Sequence, residues 1–218
     1  MQIMFKEIIA GDIDAVRRRL AKNAGVAALV ASAPPKKYSG QSPLQVAYRH
    51  GEFEIAALLL EHGADPNFIE HGGREPWAMP VLHHAVKAAV MRSRWLRPTW
   101  NGEGPWQMSN SAERSDAAFA ALCRLLESGA DALALDSYGN SSLGRAALDA
   151  RQVLPQHRHN DPDWVDPKPL NPELAEDLTR VFDTLRAYGA DPTRMERDFG
   201  KSLVEFYRAE PVAGFLRG

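Results

Sequence analysis

The chain has 218 residues, of which 44% are hydrophobic and 25% charged, so it is long and apolar enough to bury a sizeable core. Its 26 basic and 28 acidic residues leave a formal net charge of −2, which gives no electrostatic reason to bind nucleic acid or an anionic membrane. The single cysteine, Cys123, cannot form an internal disulfide, and no stretch approaches the roughly 18 consecutive apolar residues of a membrane-spanning helix.

The first predicted element is a pair of short helices at the start of the chain. Polar residues rich in Arg alternate there with apolar residues at helical spacing, namely Phe5, Ile8, Ile9, Ile13, Val16 and Leu20. The segment that begins at Met1 has neither the basic start nor the long apolar core of a signal peptide. We therefore expect a cytoplasmic protein whose first helix pair has a polar outer face.

The next element has the clearest pattern. Ser42-Pro43-Leu44 begins a short helix, because Ser is a favoured N-cap and Pro is tolerated in the first turn. Gly51 ends this helix, and a second helix rich in Leu and Ala closes at Gly63-Ala64-Asp65. The same tripeptide closes two later Leu-rich stretches, at Gly129-Ala130-Asp131 and Gly189-Ala190-Asp191. A glycine that can adopt positive φ at the same place in three helices indicates an internal repeat.

The segment from Tyr38 to His71 resembles an ankyrin repeat. Its helix start, Ser42-Pro43-Leu44-Gln45, is similar to the Thr-Pro-Leu-His start of that family, and the apolar second helix and the Gly-Ala-Asp ending follow. Gln45 departs from the family, which usually has His at this position, whereas His83 matches it in the next unit. The resemblance implies an all-α solenoid that binds proteins and is not an enzyme. For His83 it implies a structural hydrogen bond.

Later units diverge from this pattern but keep its spacing. Leu143 and Leu203 begin helices, and each follows the glycine of a Gly-Ala-Asp tripeptide by 14 residues. The apolar end at Phe215 and Leu216 resembles a terminal cap, which a stack of repeats needs because it exposes apolar faces at both ends. We predict about five helix–turn–helix units, caps included, in a single domain over residues 1–218.

Two repeats are interrupted between their paired helices. In the clean repeat the leucine of the helix start precedes the closing glycine by 19 residues, whereas this separation is 47 and then 46 residues in the next two. The excess of about 28 and 27 residues predicts insertions at roughly 92–115 and 151–172. Because equivalent positions of a repeat stack in register, we expect both insertions to emerge side by side.

The insertions hold four of the five tryptophans, and Trp and Arg are the residue types that dominate binding hot spots. The candidate partner-binding residues in them are Trp95, Arg97, Trp100, Trp106 and Trp164, and Trp77 is a further candidate in a lengthened hairpin before the second unit. The alternative is that these tryptophans pack against one another or against the repeats. One tryptophan can also anchor a loop while another is offered to a partner.

The resemblance adds candidates at the finger tips and on the inner face of the first helices, where ankyrin repeats usually bind. These are Tyr38, Arg49, His50 and Tyr138. The same positions include Ser39, Gln41, Lys87, Asn140 and Asp149, so we expect a mixed polar and aromatic strip.

One segment could hold a metal ion. The second insertion contains His157, His159, Asp161 and Asp163, and imidazole together with carboxylate suits zinc or copper. No further ligand follows at a known spacing, and a solvated polar loop is the alternative. We find no Ser/His/Asp arrangement with a recognisable spacing.

We therefore predict a non-enzymatic module that binds a specific protein partner and needs no cofactor, nucleic acid or membrane. A self-contained inhibitor or an adaptor fits this prediction, including an immunity-type protein that neutralises a bacterial toxin or effector. The alternative is a metal sensor or a metal-dependent enzyme that uses the second insertion.

Overall fold

The computed structural model describes residues 3–32, 36–71, 78–100, 103–158, 160–161, 163–196 and 200–218. Trp77, a candidate partner-binding residue, and His159, a candidate metal ligand, lie outside these ranges. The structure is mostly helical. In chain order its elements are α1 Ile3–Ile9, α2 Ile13–Lys22, α3 Pro43–His50, α4 Phe53–Glu61, α5 Val81–Met91, β1 Leu96–Trp100, β2 Glu103–Met108, α6 Ala112–Glu127, α7 Ser142–Val153, α8 Pro172–Ala187, β3 Met195–Glu196, β4 Lys201–Ser202, α9 Leu203–Phe206 and α10 Ala213–Arg217.

Each odd-numbered helix packs against the even-numbered helix that follows it. Helices α1, α3, α5 and α7 contact one another in succession and form what we call the first-helix layer. Helices α2, α4, α6 and α8 do the same and form the second-helix layer. The leucines of the predicted helix starts, Leu44, Leu82, Leu143 and Leu203, all lie in the apolar core.

The Gly-Ala-Asp tripeptide repeats in structure as well as in sequence. Its three glycines have positive φ angles of 81°, 92° and 94° at Gly63, Gly129 and Gly189. The alanine that follows is buried in every copy. The aspartate side chain accepts a hydrogen bond of 2.8 Å from the backbone N–H two residues later, in Asn67, Leu133 and Thr193. Each residue of the tripeptide therefore has a local role in turning the chain out of a helix.

The helix start at Ser42 is closed by a capping box. The Ser42 hydroxyl accepts a hydrogen bond from the Gln45 backbone N–H at 3.2 Å, and the Gln45 side-chain oxygen accepts one from the Ser42 N–H at 3.0 Å. Consecutive turns are also tied together, because Asn67 donates to the Gly129 carbonyl and accepts from the Asp131 N–H. These bonds connect turns that are more than 60 residues apart in sequence.

The all-α expectation fails in the first insertion. Strands β1 and β2 form an antiparallel hairpin there, and β3 and β4 form a second, very short one. Both second helices that follow the insertions are long, since α6 and α8 have 16 residues whereas α4 has nine. Residues 112–115 and 151–153 lie in helices, so the predicted insertions are partly helical.

Candidate protein-binding surface

The hairpin of the first insertion has one apolar and one polar face. Leu96 pairs with Met108 and Pro98 with Trp106, and paired residues of antiparallel strands project from the same face. Side chains alternate along a strand, so Arg97 and its partner Gln107 project from the opposite face, where both are exposed. Trp106 is half-buried and Met108 is 37% exposed. The hairpin thus presents a small apolar face.

The two strands pack chiefly on each other, with few contacts to the helices. An isolated two-stranded ribbon is marginal in water, so its base needs support from the rest of the chain. Both strands also contain a proline, Pro98 and Pro105. Proline has no N–H to donate, which discourages another strand from pairing with an edge. This hairpin is therefore suited to contacts through its side chains.

Trp95 fixes the base of the hairpin. Its ring packs against the core, and its Nε1 donates to the Met91 carbonyl at 3.4 Å. The Lys168 ammonium of the second insertion lies 5.1 Å from the centre of the ring, at cation–π distance. Trp95 therefore anchors the insertion, and Trp106 lies on the exposed hairpin that it supports.

A buried carboxylate holds the residue next to Trp95. Asp177 of α8 accepts from the Arg94 backbone N–H at 2.8 Å and from the Arg94 guanidinium at 2.8 and 3.0 Å. The Ser115 hydroxyl donates to the same carboxylate at 2.7 Å, and Arg180 lies 3.0 Å away. Burial by itself raises the pKa of Asp177, but the hydrogen bonds from Arg94 and Ser115 outweigh it, so this pKa lies below its usual value. The carboxylate stays charged and bound at neutral pH.

The two insertions are in contact, as the register of the repeats predicts. Besides the approach of Lys168 to Trp95, the Asn171 side chain donates to the Arg94 carbonyl at 2.9 Å. The second insertion therefore helps to position the base of the first.

The second insertion does not present its tryptophan freely. The Arg158 guanidinium lies 3.9 Å from the centre of the Trp164 ring, so part of this ring is covered within the chain. In the part of the chain that the structure describes, no three His, Cys, Asp or Glu side chains are grouped to hold a metal ion. The predicted metal candidate thus gains no support from the described residues, and its His159 lies outside them.

The residues of the strip predicted on the first-helix layer differ in how far they are buried. Tyr38 is only 2% exposed and its hydroxyl lies 2.7 Å from the His50 Nε2, so its side chain is placed inside the fold, and its contact with a partner stays a prediction. His50 is half-buried, whereas Arg49 and Lys87 are exposed and Tyr138 is 58% exposed. Gln41, Asn140 and Asp149 are buried in polar contacts.

His83 and His84 are buried beneath this surface. The His83 Nε2 lies 3.2 Å from the Ala134 carbonyl, a contact that reaches across to the next unit. Burial lowers the pKa of both rings, to about 3 for His84, where the positive charges of Arg49, Lys87 and Arg145 lower it further. Both histidines are neutral at physiological pH and serve the fold.

Sequence reasoning missed the contact between Arg94 and Asp177. The available signal was an acidic residue at a core position, since Asp177 lies between Leu174, Leu178 and Val181 on the apolar face of α8. An acid at such a spacing needs a buried partner. Only the fold shows that the partner belongs to the first insertion.

Comparison with known proteins identifies one unit of the chain, which lies before the hairpin. Residues 39–70 match the family model of the ankyrin repeat. The predicted resemblance is confirmed for this segment. The ankyrin repeat contains α3 and α4, so Arg49 and His50 lie on its first helix. A search of curated proteins finds no match to the chain.

None of the helices within the described ranges is long and apolar enough to span a membrane. Ankyrin repeats are generally interaction modules without enzymatic activity, and this repeat indicates a protein–protein interaction module here.

Proposed function

We propose that this protein is a non-enzymatic, ankyrin-type solenoid of about five helix pairs that binds one specific protein partner. The partner contacts the apolar face of the β1–β2 hairpin together with the exposed side of the first-helix layer. The observation that carries the proposal is the ankyrin repeat at residues 39–70, because this repeat type is an interaction module.

The anchored hairpin supports the choice of surface. Its base is held by Trp95 in the core and by Arg94 on Asp177, so Trp106 and Met108 project from a fixed platform. A rigid apolar anchor loses little entropy on binding, which favours affinity. Trp is also among the side chains most often found in binding hot spots.

We propose further that the protein acts alone, as an inhibitor that neutralises its partner. A bacterial toxin or effector is the kind of partner for which such a compact protein would serve as an immunity factor. An adaptor is the competing form of the same function. The stoichiometry of the complex distinguishes an inhibitor from an adaptor, because an inhibitor binds one partner whereas an adaptor holds two different proteins at once. We expect light scattering on the purified complex to show one partner per chain.

The test compares two hairpin variants in capture from a lysate of the source cells. Trp106→Ala combined with Met108→Ala removes the apolar face, and Gln107→Ala changes the opposite, exposed face. We expect one protein to be captured by the wild type and by the Gln107→Ala variant, with at least about tenfold less captured by the double variant. Circular dichroism checks that each variant folds. Equal capture by all three chains excludes the hairpin as the contact surface.

A further inference from the structure

Burial changes the chemistry of the polar strip that the sequence predicts on the first-helix layer. Its neutral and acidic members are mostly turned inward, namely Tyr38, Gln41, Asn140 and Asp149. Its two cationic members, Arg49 on α3 and Lys87 on α5, remain exposed. The surface that a partner can reach on these two helices is therefore positively charged, although the strip as a sequence is mixed.

These cations are not neutralised within the described residues. Arg49 donates to the backbone carbonyl of Lys37, and the Arg49 and Lys37 cations lie 5.3 and 4.7 Å from the centre of the Tyr38 ring. None of Lys37, Arg49 and Lys87 forms an ion pair with a described carboxylate. By contrast, Arg145 on α7 is bound by both oxygens of Asp149 at 2.6 and 2.8 Å. Among α3, α5 and α7, the unpaired positive charge of the predicted strip thus lies on α3, α5 and the turn before α3.

Arg49 and Lys87 occupy equivalent positions of two neighbouring helices, four residues after Gln45 on α3 and four residues after His83 on α5. Because α3 and α5 pack against each other, the two cations lie on adjacent parts of the same surface, and both lower the pKa of the buried His84. Within the described residues the buried His84 Nε2 has no hydrogen-bond partner, and it lies 4.0 Å from the Glu70 carboxylate, which is itself buried. The Glu70 carboxylate accepts a hydrogen bond from the Gln41 side chain and is buried, so it makes no direct contact with a ligand that approaches the exposed cations.

The spacing of the two helices limits the shape of an anionic ligand. Packed helices lie about 10 Å apart. An extended chain of the polyproline II type advances about 3.1 Å per residue and has three residues per turn, so acidic side chains three residues apart lie on one side of it and would reach Arg49 and Lys87 at the same time.

We propose that the exposed side of α3 and α5 binds an extended acidic segment of the protein partner, with carboxylates three residues apart on Arg49 and Lys87. This inference rests on the proposed protein-binding function and states the chemistry of the partner. An acidic protein segment is favoured over nucleic acid because the positive surface is small and the whole chain has a net charge of −2.

The test is an NMR titration of the full chain, labelled with ¹⁵N, at about 20 mM salt, where exposed charges are little screened. The probe is a Gly/Ser peptide with Glu at every third position. A second peptide has the same composition with its Glu residues contiguous, and an oligothymidylate of similar charge represents nucleic acid. The protein variants are Arg49→Glu, Lys87→Glu and the milder Lys87→Gln. Arg18→Glu on α2 is the control, since it makes the same change of charge at an exposed position of the second-helix layer.

We expect the spaced peptide to shift amide signals of α3 and α5, and each Glu variant to weaken its Kd about tenfold while Arg18→Glu leaves it within about twofold. Lys87→Gln should give an intermediate Kd, and the contiguous peptide should bind more weakly than the spaced one. Signals unchanged by any peptide, or equal affinity for the Arg49→Glu and Arg18→Glu variants, would overturn the proposal. Tighter binding of the oligothymidylate than of the spaced peptide would overturn it too.

The peptide titration and the capture by the hairpin variants test two different proposals, so one can fail while the other stands. If the protein captures a partner through Trp106 but ignores the acidic peptide, the acidic-segment proposal fails and the protein-binding function stands. If the peptide binds and no partner is ever captured through the hairpin, the charged surface stands and the hairpin proposal fails.

Discussion

Gln45 and His83 occupy equivalent positions in two consecutive helix starts. The Gln45 side-chain nitrogen donates to the Met79 carbonyl at 2.7 Å, and the His83 Nε2 faces the Ala134 carbonyl at 3.2 Å. In both cases the acceptor belongs to the following turn, 34 or 51 residues later in the sequence. Glutamine therefore supplies the same N–H donor as histidine, which explains why the departure from the family pattern leaves this connection intact.

The buried histidines make stability depend on pH. The folded protein keeps His83 and His84 neutral because burial lowers the pKa of each, whereas both take up protons in the unfolded chain as the pH falls through about 6.5. The free energy of unfolding should thus be steady above about pH 7 and decrease as the pH falls below about 6.5.

His83→Gln tests this dependence, because Gln45 shows that glutamine can form the equivalent bond. We expect less than about 1 kcal/mol of change in the free energy of unfolding at pH 8, and a shallower decrease than in the wild type between about pH 6.5 and pH 5. Urea unfolding at several pH values measures both. An identical pH dependence in the variant would show that His83 does not contribute.

Asp177 holds the base of the first insertion through its bonds to Arg94 and Ser115. The Asp177→Asn variant loses the negative charge that binds the guanidinium groups of Arg94 and Arg180. The N–H donors of these two groups are then left without a charged acceptor. We expect the free energy of unfolding to fall by about 3 kcal/mol. The matched control is Asp116→Asn, which removes an exposed carboxylate from the same Arg180 and should cost less than about 1 kcal/mol.

Urea unfolding of both variants at neutral pH measures the difference. Equal losses for Asp177→Asn and Asp116→Asn would mean that burial adds nothing to the pair and that the insertion is held elsewhere.

At the scale of the element, the hairpin and its base have separate roles. Strands β1 and β2 pack chiefly on each other, whereas Trp95 just before them packs on the core. Replacing residues 97–107 by an Asn-Gly turn joins Leu96 to Met108, which are already paired across the strands. We expect this to change the free energy of unfolding by less than about 1 kcal/mol, because little of the core is lost.

Trp95→Ala is the contrasting variant, and we expect it to lower the free energy of unfolding by about 2 kcal/mol because it removes a large side chain that packs on the core. Chemical denaturation followed by circular dichroism compares the two. A hairpin deletion more costly than Trp95→Ala would show that the hairpin belongs to the folded core, and it would weaken the case for a binding surface there.

At the scale of the whole molecule, charge is distributed unevenly although its sum is small. The chain carries a net charge of −2, yet the exposed side of α3 and α5 is cationic because its acidic and neutral neighbours are buried. The apolar hairpin is supported by α5, α6 and α8 through Trp95, Ser115 and Asp177. Helix α5 therefore connects the two surfaces, since Lys87 lies on it and Trp95 follows its end.

Much of the fold could be predicted from the sequence because its signals are local. Gly63, Gly129 and Gly189 each follow a helix at a place where only a positive φ continues the chain, and the aspartate two residues later closes the turn by itself. Ser42 and Gln45 likewise form their cap within one turn. The hairpin was missed because its strands are short and contain prolines, and prolines are typical of loops.

By itself, then, the sequence determined the repeat, its ankyrin character at residues 39–70 and the places where it is interrupted, because these depend on backbone geometry and on apolar spacing within a few residues. Only the tertiary structure decided that Trp95 anchors and Trp106 projects, that Tyr38 is buried and Arg49 exposed, and that Asp177 binds Arg94. Exposure and pairing depend on what packs against a side chain from elsewhere in the chain, and Asp177 lies 83 residues from its partner.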